Sequence, residues 1–333
     1  MATFSKTRSF AKPMFFETVM SGPAASDDPL DPAFDSTLEP PSGPGQNWTL
    51  RLTLRMYYRR MTPAQVTSGM MAGWGGTPLA VTIASVRDGN GNPSLIKDWS
   101  LAEWATFIGN VQKRANEWDS KFWLIPPNEV PWFDVFDPHG ARTRPNLKCA
   151  FEMKIAPASN FAHRTINVYN LATSNFFRSD NATYVAVDGN VQKTYNFPDA
   201  SGVNVQTKQW TVTHEVGHAL GLDHINVLRN HPDCGLAIML DNANRISGLP
   251  VPTPAKYAKG YNNVLCYGPG STADAINNIM GAGMKFTSDD AKPWLNRLPE
   301  HLDLSSPSDT AMFSLSLSKC KVVMAPTPPR AVR

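Results

Sequence analysis

The chain has 333 residues, of which 42% are hydrophobic, and its 31 basic and 28 acidic residues give a net charge of +3. This length allows a substantial core in one large domain or two lobes, and the small charge gives no support for nucleic acid or an anionic membrane as the main partner. No apolar run reaches the roughly 18 residues of a transmembrane helix, so no membrane span is expected.

Residues 1–46 are predicted to form a flexible N-terminal extension, because residues 20–46 are rich in Pro, Ser, Gly and Asp. The first residues have scattered charges and no apolar segment of the kind found in a Sec signal peptide. The protein is therefore expected to be cytoplasmic or to be exported by a non-classical route.

The first regular elements are a strand and a capped helix. Residues 48–59 alternate apolar and polar side chains, which predicts a strand. The sequence S-L-A-E at 100–103 is a capping box that begins a helix. An apolar stripe predicted to pack on a sheet follows at steps of three and four: Leu101, Trp104, Ile108, Val111, Ala115, Trp118 and Phe122.

Further strands are predicted at 149–158, 164–172 and 182–188, with turns at Asp188-Gly189 and Pro198-Asp199. A second helix is predicted from about Thr207 to Leu220. Its apolar side chains are expected to face the core: Val212, Val216 and Ala219.

The most specific pattern is T-H-E-V-G-H-A-L-G-L-D-H, which ends at His224 and has the form HExxHxxGxxH. His214 and His218 are four residues apart, so they lie on one face of a helix and both imidazoles can bind one ion. Glu215 follows the first of them, where a carboxylate can take a proton from metal-activated water. Gly221 can end the helix in a left-handed conformation and turn the chain back, which lets His224 serve as third ligand. The pattern predicts a mononuclear zinc hydrolase.

These residues resemble the zinc-binding signature of the metzincin clan of metallopeptidases. The resemblance implies an α+β fold, with a mixed twisted sheet, a backing helix and an active-site helix above a zinc cleft, and a smaller C-terminal lobe below it. It implies one catalytic zinc ion on His214, His218 and His224, with Glu215 as general base for hydrolysis of peptide bonds in a protein or peptide substrate. Ile225 follows the third histidine, so no subfamily is assigned.

The resemblance places a metzincin-like catalytic domain at residues 47–305, with an upper lobe at about 47–224 and a lower lobe at about 225–305. The remaining residues, 306–333, include the alternating run A-M-F-S-L-S-L-S and a Pro-rich end. They are predicted to form a C-terminal strand and a disordered tail.

Metzincins also have a tight turn with a methionine beneath the zinc site, and two segments of the sequence could supply it. In N-N-I-M-G-A-G, Met280 precedes Gly281 and Gly283, whose backbone freedom suits a tight turn. In L-A-I-M-L-D-N, Met239 lies closer in sequence to the third histidine. Met280 is the preferred candidate, and residues 225–275 then form an insertion.

Several side chains near this insertion have open roles. Cys234 and Cys266 both lie in it, where a disulfide and two free thiols are both possible. Asp223 is either the hydrogen-bond partner of a ligand histidine or a solvated acid. Stabilisation of the transition state by a tyrosine would come from Tyr261 or Tyr267. The other histidines are predicted to be surface or structural residues: His139, His163, His231 and His301.

Alternatives from other classes also remain open. A zinc amidase acting on cell-wall peptides or small acylated substrates would use the same ligands. A catalytically silent zinc-binding module would not need Glu215, since a structural site requires no base. The lack of a signal peptide also fits a delivered effector or toxin.

Overall fold

The structure is a computed structural model that describes the sheet, the main helices and the segment around Met280. The described residues are 34–39, 46–63, 85–87, 93–127, 135–136, 142–172, 179, 183–198, 203–222, 273–301 and 320–324. Predictions on other residues, among them those for His224, Met239, Cys234 and Cys266, lie outside this part of the chain.

The described chain combines strands and helices, in agreement with an α+β class. The strands are β1 (Asp35–Glu39), β2 (Trp48–Met61), β3 (Ser85–Arg87), β4 (Pro93–Leu95), β5 (Phe122–Ile125), β6 (Val135–Phe136), β7 (Arg142–Thr143), β8 (Leu147–Ile155), β9 (Arg164–Tyr169), β10 (Thr183–Val185), β11 (Lys193–Pro198), β12 (Asn204–Gln209) and β13 (Lys321–Val323). The α-helices are α1 (Leu101–Ala115), α2 (Thr211–Ala219), α3 (Ala273–Asn277) and α4 (Lys292–Arg297). Short 3-10 helices lie at Asn116–Trp118, Ser159–Phe161, Ala186–Gly189, Ser288–Ala291 and Leu298–His301.

The main sheet is mixed, with the strand order β10-β9-β2-β8-β5-β13 and β1 paired to β2. Strands β8, β2, β9 and β10 run parallel, whereas β5, β13 and β1 pair antiparallel. Met56 pairs with Ile155 of β8 and with Arg164 of β9, so these strands lie on opposite edges of β2. Parallel neighbours require a crossover connection, and α1 lies in the connection between β2 and β8.

Strand β2 is the centre of the core and confirms the strand predicted at 48–59. Its alternate side chains Leu50, Leu52, Leu54 and Met56 are at most 1% exposed. The side chains between them are partly exposed. Period-two alternation therefore gives this strand one buried face, as its sequence indicates.

Helix α1 confirms the capping box but corrects part of the predicted stripe. The Ser100 side chain accepts from the Glu103 backbone N–H, and the Glu103 side chain accepts from the Ser100 N–H. Leu101 is 81% exposed, while Phe107, which the stripe omitted, is buried. The helix ends at Ala115, so Trp118 lies in the next 3-10 helix and Phe122 in β5. The buried face therefore runs through Phe107, Val111 and Ala115, four residues apart.

The chain outside residues 47–305 also contributes to the sheet. Strand β1 lies within the extension predicted to be flexible, yet it pairs with β2, and Phe34 and Leu38 are buried in the core. Strand β13 pairs with β5 at the other side of the sheet. The alternating run predicted to form the C-terminal strand lies before β13, outside the described residues. Among the described residues, no helix has the length and apolarity needed to cross a membrane.

The predicted start of the HExxH helix at about Thr207 is wrong. The helix begins at Thr211 and not at Thr207, because residues 204–209 form β12, which pairs with β11. The predicted turn at Asp188-Gly189 is the end of a 3-10 helix, in which the Asp188 carboxylate accepts from the Val185 N–H at 2.7 Å. The hairpin of β11 and β12 leads the chain directly into α2.

Candidate active site

The side chains of helix α2 lie between the core and the turn around Met280. Val212, Val216 and Ala219 are buried against the core, as predicted. His214 and Glu215 are only 7% and 8% exposed. The helix is held to the end of α1, because Trp118 Nε1–H donates to the Thr213 carbonyl at 2.7 Å and Thr213 Oγ1–H donates to the Arg114 carbonyl at 3.1 Å.

The two helix histidines converge through their Nε2 atoms, which are 3.1 Å apart. The opposite ring nitrogens face backbone carbonyls: His214 Nδ1 lies 2.7 Å from the Ile279 oxygen, and His218 Nδ1 lies 2.8 Å from the Leu222 oxygen. A carbonyl only accepts, so each Nδ1 must carry the proton. In the neutral rings each Nε2 then presents its lone pair toward the same point.

This arrangement fits a zinc ion. Two Zn–N bonds of about 2.0–2.1 Å that meet at a tetrahedral angle place their nitrogens about 3.3–3.4 Å apart, close to the 3.1 Å separation between the Nε2 atoms of His214 and His218. Metal-binding histidines characteristically donate their other N–H to a carbonyl or carboxylate. Within the described part of the chain, no cluster of three metal-ligating side chains occurs; the predicted third ligand, His224, lies beyond it.

The helix ends as its glycine predicts. Gly221 has φ of 87°, the left-handed conformation that glycine adopts without steric cost. The Leu222 N–H donates to the Gly217 carbonyl and the Gly221 N–H to the His218 carbonyl, both at 3.0 Å. These two bonds form a Schellman motif. The turn brings the Leu222 carbonyl oxygen to 2.8 Å from His218 Nδ1, two residues before His224 in the sequence.

The segment around Met280 forms a tight turn against α2. Met280 is 2% exposed, and a Cβ atom on Gly217 would lie 2.2 Å from its sulfur, so the methionine packs directly on the helix at Gly217, the residue before His218. The Gly281 and Gly283 N–H groups donate to the Asn278 carbonyl at 3.0 and 3.1 Å. The structure thus places Met280, the preferred candidate, next to the histidine pair.

The reason for glycine in this turn differs from the predicted one. Neither Gly281 nor Gly283 is among the described residues with positive φ. At Gly283 the cause is close approach: a Cβ atom there would lie 2.1 Å from the Asn277 carbonyl oxygen. The absence of a side chain, and not left-handed freedom, makes the turn possible.

The turn is also braced by buried polar side chains. The Met280 N–H donates to Asn278 Oδ1 at 2.6 Å, and Asn278 Nδ2 donates to Asp290 Oδ2 at 3.0 Å. The same Asp290 oxygen accepts from the Thr287 N–H at 2.7 Å. Burial raises the pKa of Asp290 above its usual value, against the hydrogen bonds from Thr287 and Asn278, which lower it.

This raised pKa predicts a pH dependence of stability. Because the folded pKa of Asp290 exceeds the unfolded one, its contribution is fully present below the unfolded pKa and is lost as pH rises through the folded pKa. Asp290→Asn keeps a carbonyl acceptor and does not titrate. The free energy of unfolding of Asp290→Asn, relative to wild type, should therefore rise as the pH increases above about 4, the ordinary pKa of aspartate. Denaturant unfolding at several pH values measures this; a difference that does not change with pH would contradict it.

Glu215 lies near a buried cation. Arg164, at the start of β9, is 8% exposed, and its buried Nε and Nη2 atoms have no hydrogen-bond partner among the described residues. Burial lowers the pKa of Arg164, while Tyr184 and Glu215 act in the opposite direction. Strand register places Arg164 on the same face of the sheet as Met56, which is buried in the core with Val212 and Val216 of α2.

The remaining predicted residues divide into two groups. His163 and His301 have structural roles, as predicted: the Arg55 N–H donates to His163 Nδ1 at 2.9 Å, and His301 Nε2 lies 2.8 Å from Ser36 Oγ. The others lie outside the described residues: His139, Asp223, His224, Ile225, His231, Met239, Tyr261 and Tyr267.

Three residues of the site are not among those that the sequence analysis predicts. Gln209 and Asn278 make their contacts with groups that are local only in the folded chain, so no spacing pattern marks them. Gly217 did carry a signal, because a glycine inside a helix costs about 1 kcal/mol relative to alanine and therefore suggests a packing reason. That reason is the contact with Met280 and Trp118.

Comparison with protein-family models, with characterised proteins and with solved structures finds no match. The function of the site is therefore inferred from its own residues.

Proposed function

We propose that the protein is a metzincin-like zinc endopeptidase. His214, His218 and His224 would hold one zinc ion, and Glu215 would act as the general base. The observation that carries this proposal is the pair of imidazoles whose Nδ1–H groups are fixed on backbone carbonyls while their Nε2 atoms converge at 3.1 Å. Such fixed tautomers present lone pairs to a cation, as the histidines of metal sites do.

The remaining features of the site agree with this proposal. The order of strand, helix, parallel strands and HExxH helix is the order expected of the upper lobe. The Met280 turn lies directly against α2 at Gly217, and its Ile279 oxygen contacts His214. The Schellman motif at Gly221 turns the chain at the position from which His224 would have to return.

The roles of the chain's own groups follow from their positions. A zinc ion in such a site supplies a Lewis acid that polarises the scissile carbonyl and lowers the pKa of water toward 7. The carbonyls of Ile279 and Leu222 hold the imidazole rings in the ligating tautomer. Glu215 takes a proton at its carboxylate from the attacking water and passes it to the leaving amine.

A peptide-library digest tests the proposed activity. The purified protein should cleave internal peptide bonds, lose this activity with a strong chelator and regain it when zinc is added back. Cell-wall fragments and small acylated substrates belong in the same assay. Cleavage of those alone would support the zinc amidase instead, and zinc binding without hydrolysis of any substrate would support the silent zinc-binding module.

A further inference from the structure

Gln209 is the last residue of β12, two positions before α2, and its side chain reaches the Met280 turn. The residue is 4% exposed. Its Nε2 atom lies 3.0 Å from the Ile279 oxygen, 3.1 Å from the Gly281 oxygen and 3.2 Å from the Gly283 oxygen. It also lies 3.2 Å from His214 Nδ1.

The number of available N–H groups decides which of these contacts are hydrogen bonds. His214 Nδ1 carries a proton and donates it to the Ile279 oxygen at 2.7 Å, so it has no lone pair for Gln209. The amide of Gln209 has two N–H groups, which must be distributed over the three carbonyls of the turn. The Ile279 oxygen, the nearest of the three at 3.0 Å, accepts from both Gln209 and His214 and so links them.

A second side chain of β12 binds the same turn at a different carbonyl. Thr207 Oγ1–H donates to the Ala282 oxygen at 2.6 Å. Thr207 and Gln209 are two residues apart in a strand, so both project from one face. The two side chains thus lie within 3.2 Å of four carbonyl oxygens of the turn, and among the described contacts the Ile279 oxygen is the one that also faces a histidine of the pair.

We infer that Gln209 is a positioning residue that, by fixing the Ile279 carbonyl, sets the tautomer and orientation of His214 and so the affinity of the histidine pair for zinc. The inference rests on the proposed function for the identity of the ion. The tautomer of His214 does not depend on it. Gln209 fixes the acceptor, the acceptor fixes the Nδ1 proton, and the Nε2 lone pair points to the metal position.

The test compares Gln209→Met with Thr207→Val in zinc affinity, measured on zinc-free protein by competition with a chromophoric chelator. Gln209→Met keeps the volume and removes the donors, so zinc should bind about 10- to 100-fold more weakly, the usual effect of losing a partner of a metal ligand. Thr207→Val removes one hydrogen bond from the same turn but leaves the Ile279 carbonyl held. Its zinc affinity should stay within about threefold of wild type even where its melting temperature falls.

Equal zinc affinity in Gln209→Met and wild type would overturn the inference, and so would an equal loss in both variants, which would show a purely structural role. Nitrogen-15 NMR of the His214 ring in wild-type protein provides a measurement that does not depend on how any variant folds. The inference expects the Nδ1–H tautomer in the neutral ring; the Nε2–H tautomer would overturn it. If wild type bound no zinc, the proposed function would fail, while the NMR spectrum would still test the Nδ1–H tautomer on which the inference depends.

Discussion

Replacing Glu215 with glutamine is expected to lower peptide hydrolysis by about 10²- to 10⁴-fold, the range that a positioned general base contributes, while zinc stays bound. The amide has nearly the shape of the carboxylate but cannot accept the proton of the attacking water. Glu215 is 8% exposed and follows His214 on α2, so little solvent is available to replace it as base. Steady-state cleavage of a peptide at saturating zinc measures the loss.

The matched control is Glu152→Gln on β8. Glu152 pairs with Lys154 at 3.4 Å, and the two side chains are 42% and 55% exposed, so this change removes a surface carboxylate away from the histidines. It should leave the rate unchanged, because an exposed ion pair contributes little. Undiminished hydrolysis by Glu215→Gln, with a melting temperature like that of wild type, would rule out Glu215 as the base.

Replacing Gly283 with alanine is expected to destabilise the protein by about 3 kcal/mol or more, at the upper end of overpacking effects. A Cβ atom at this position would lie 2.1, 2.4 and 2.5 Å from backbone atoms of Asn277, and backbone cannot yield as a flexible side chain can. The turn would have to open, which would displace the Ile279 carbonyl from His214. Denaturant unfolding gives the stability, and zinc affinity should fall in parallel.

Gly109→Ala in α1 provides the control for the change of glycine to alanine. A Cβ atom at Gly109 meets nothing within 4 Å. Alanine in a helix interior is favoured over glycine by about 0.5–1 kcal/mol, so this variant should be more stable than wild type. If Gly283→Ala unfolded at the denaturant concentration of wild type, the close approach described for the turn would be incorrect.

Sequence patterns predicted the elements whose cause is local. The capping box from Ser100 to Glu103, the alternation in β2 and the left-handed glycine at 221 each depend on a few adjacent residues, and each is present in the structure. His214 and His218 likewise lie together because residues four apart share one face of a helix. Interactions between residues that are close in sequence are sufficient to predict these features.

The errors and omissions concern contacts between distant residues. The start of α2 was placed too early because residues 204–209 pair with β11, and this pairing overrides their helical pattern. The buried face of α1 was shifted because the sheet and α2, and not the helix alone, decide which side chains are covered. Gln209 acts on carbonyls more than 65 residues away, and no pattern in a single sequence marks such a contact.

The most direct test of the metal site is the zinc stoichiometry of wild-type protein and His218→Ala, measured by elemental analysis after dialysis against buffered zinc. Wild type should hold one zinc ion per chain. His218→Ala removes one of the two converging Nε2 atoms and should lose the ion at the same free zinc concentration. Equal zinc content in the two proteins would contradict the proposal that His214 and His218 form the metal site.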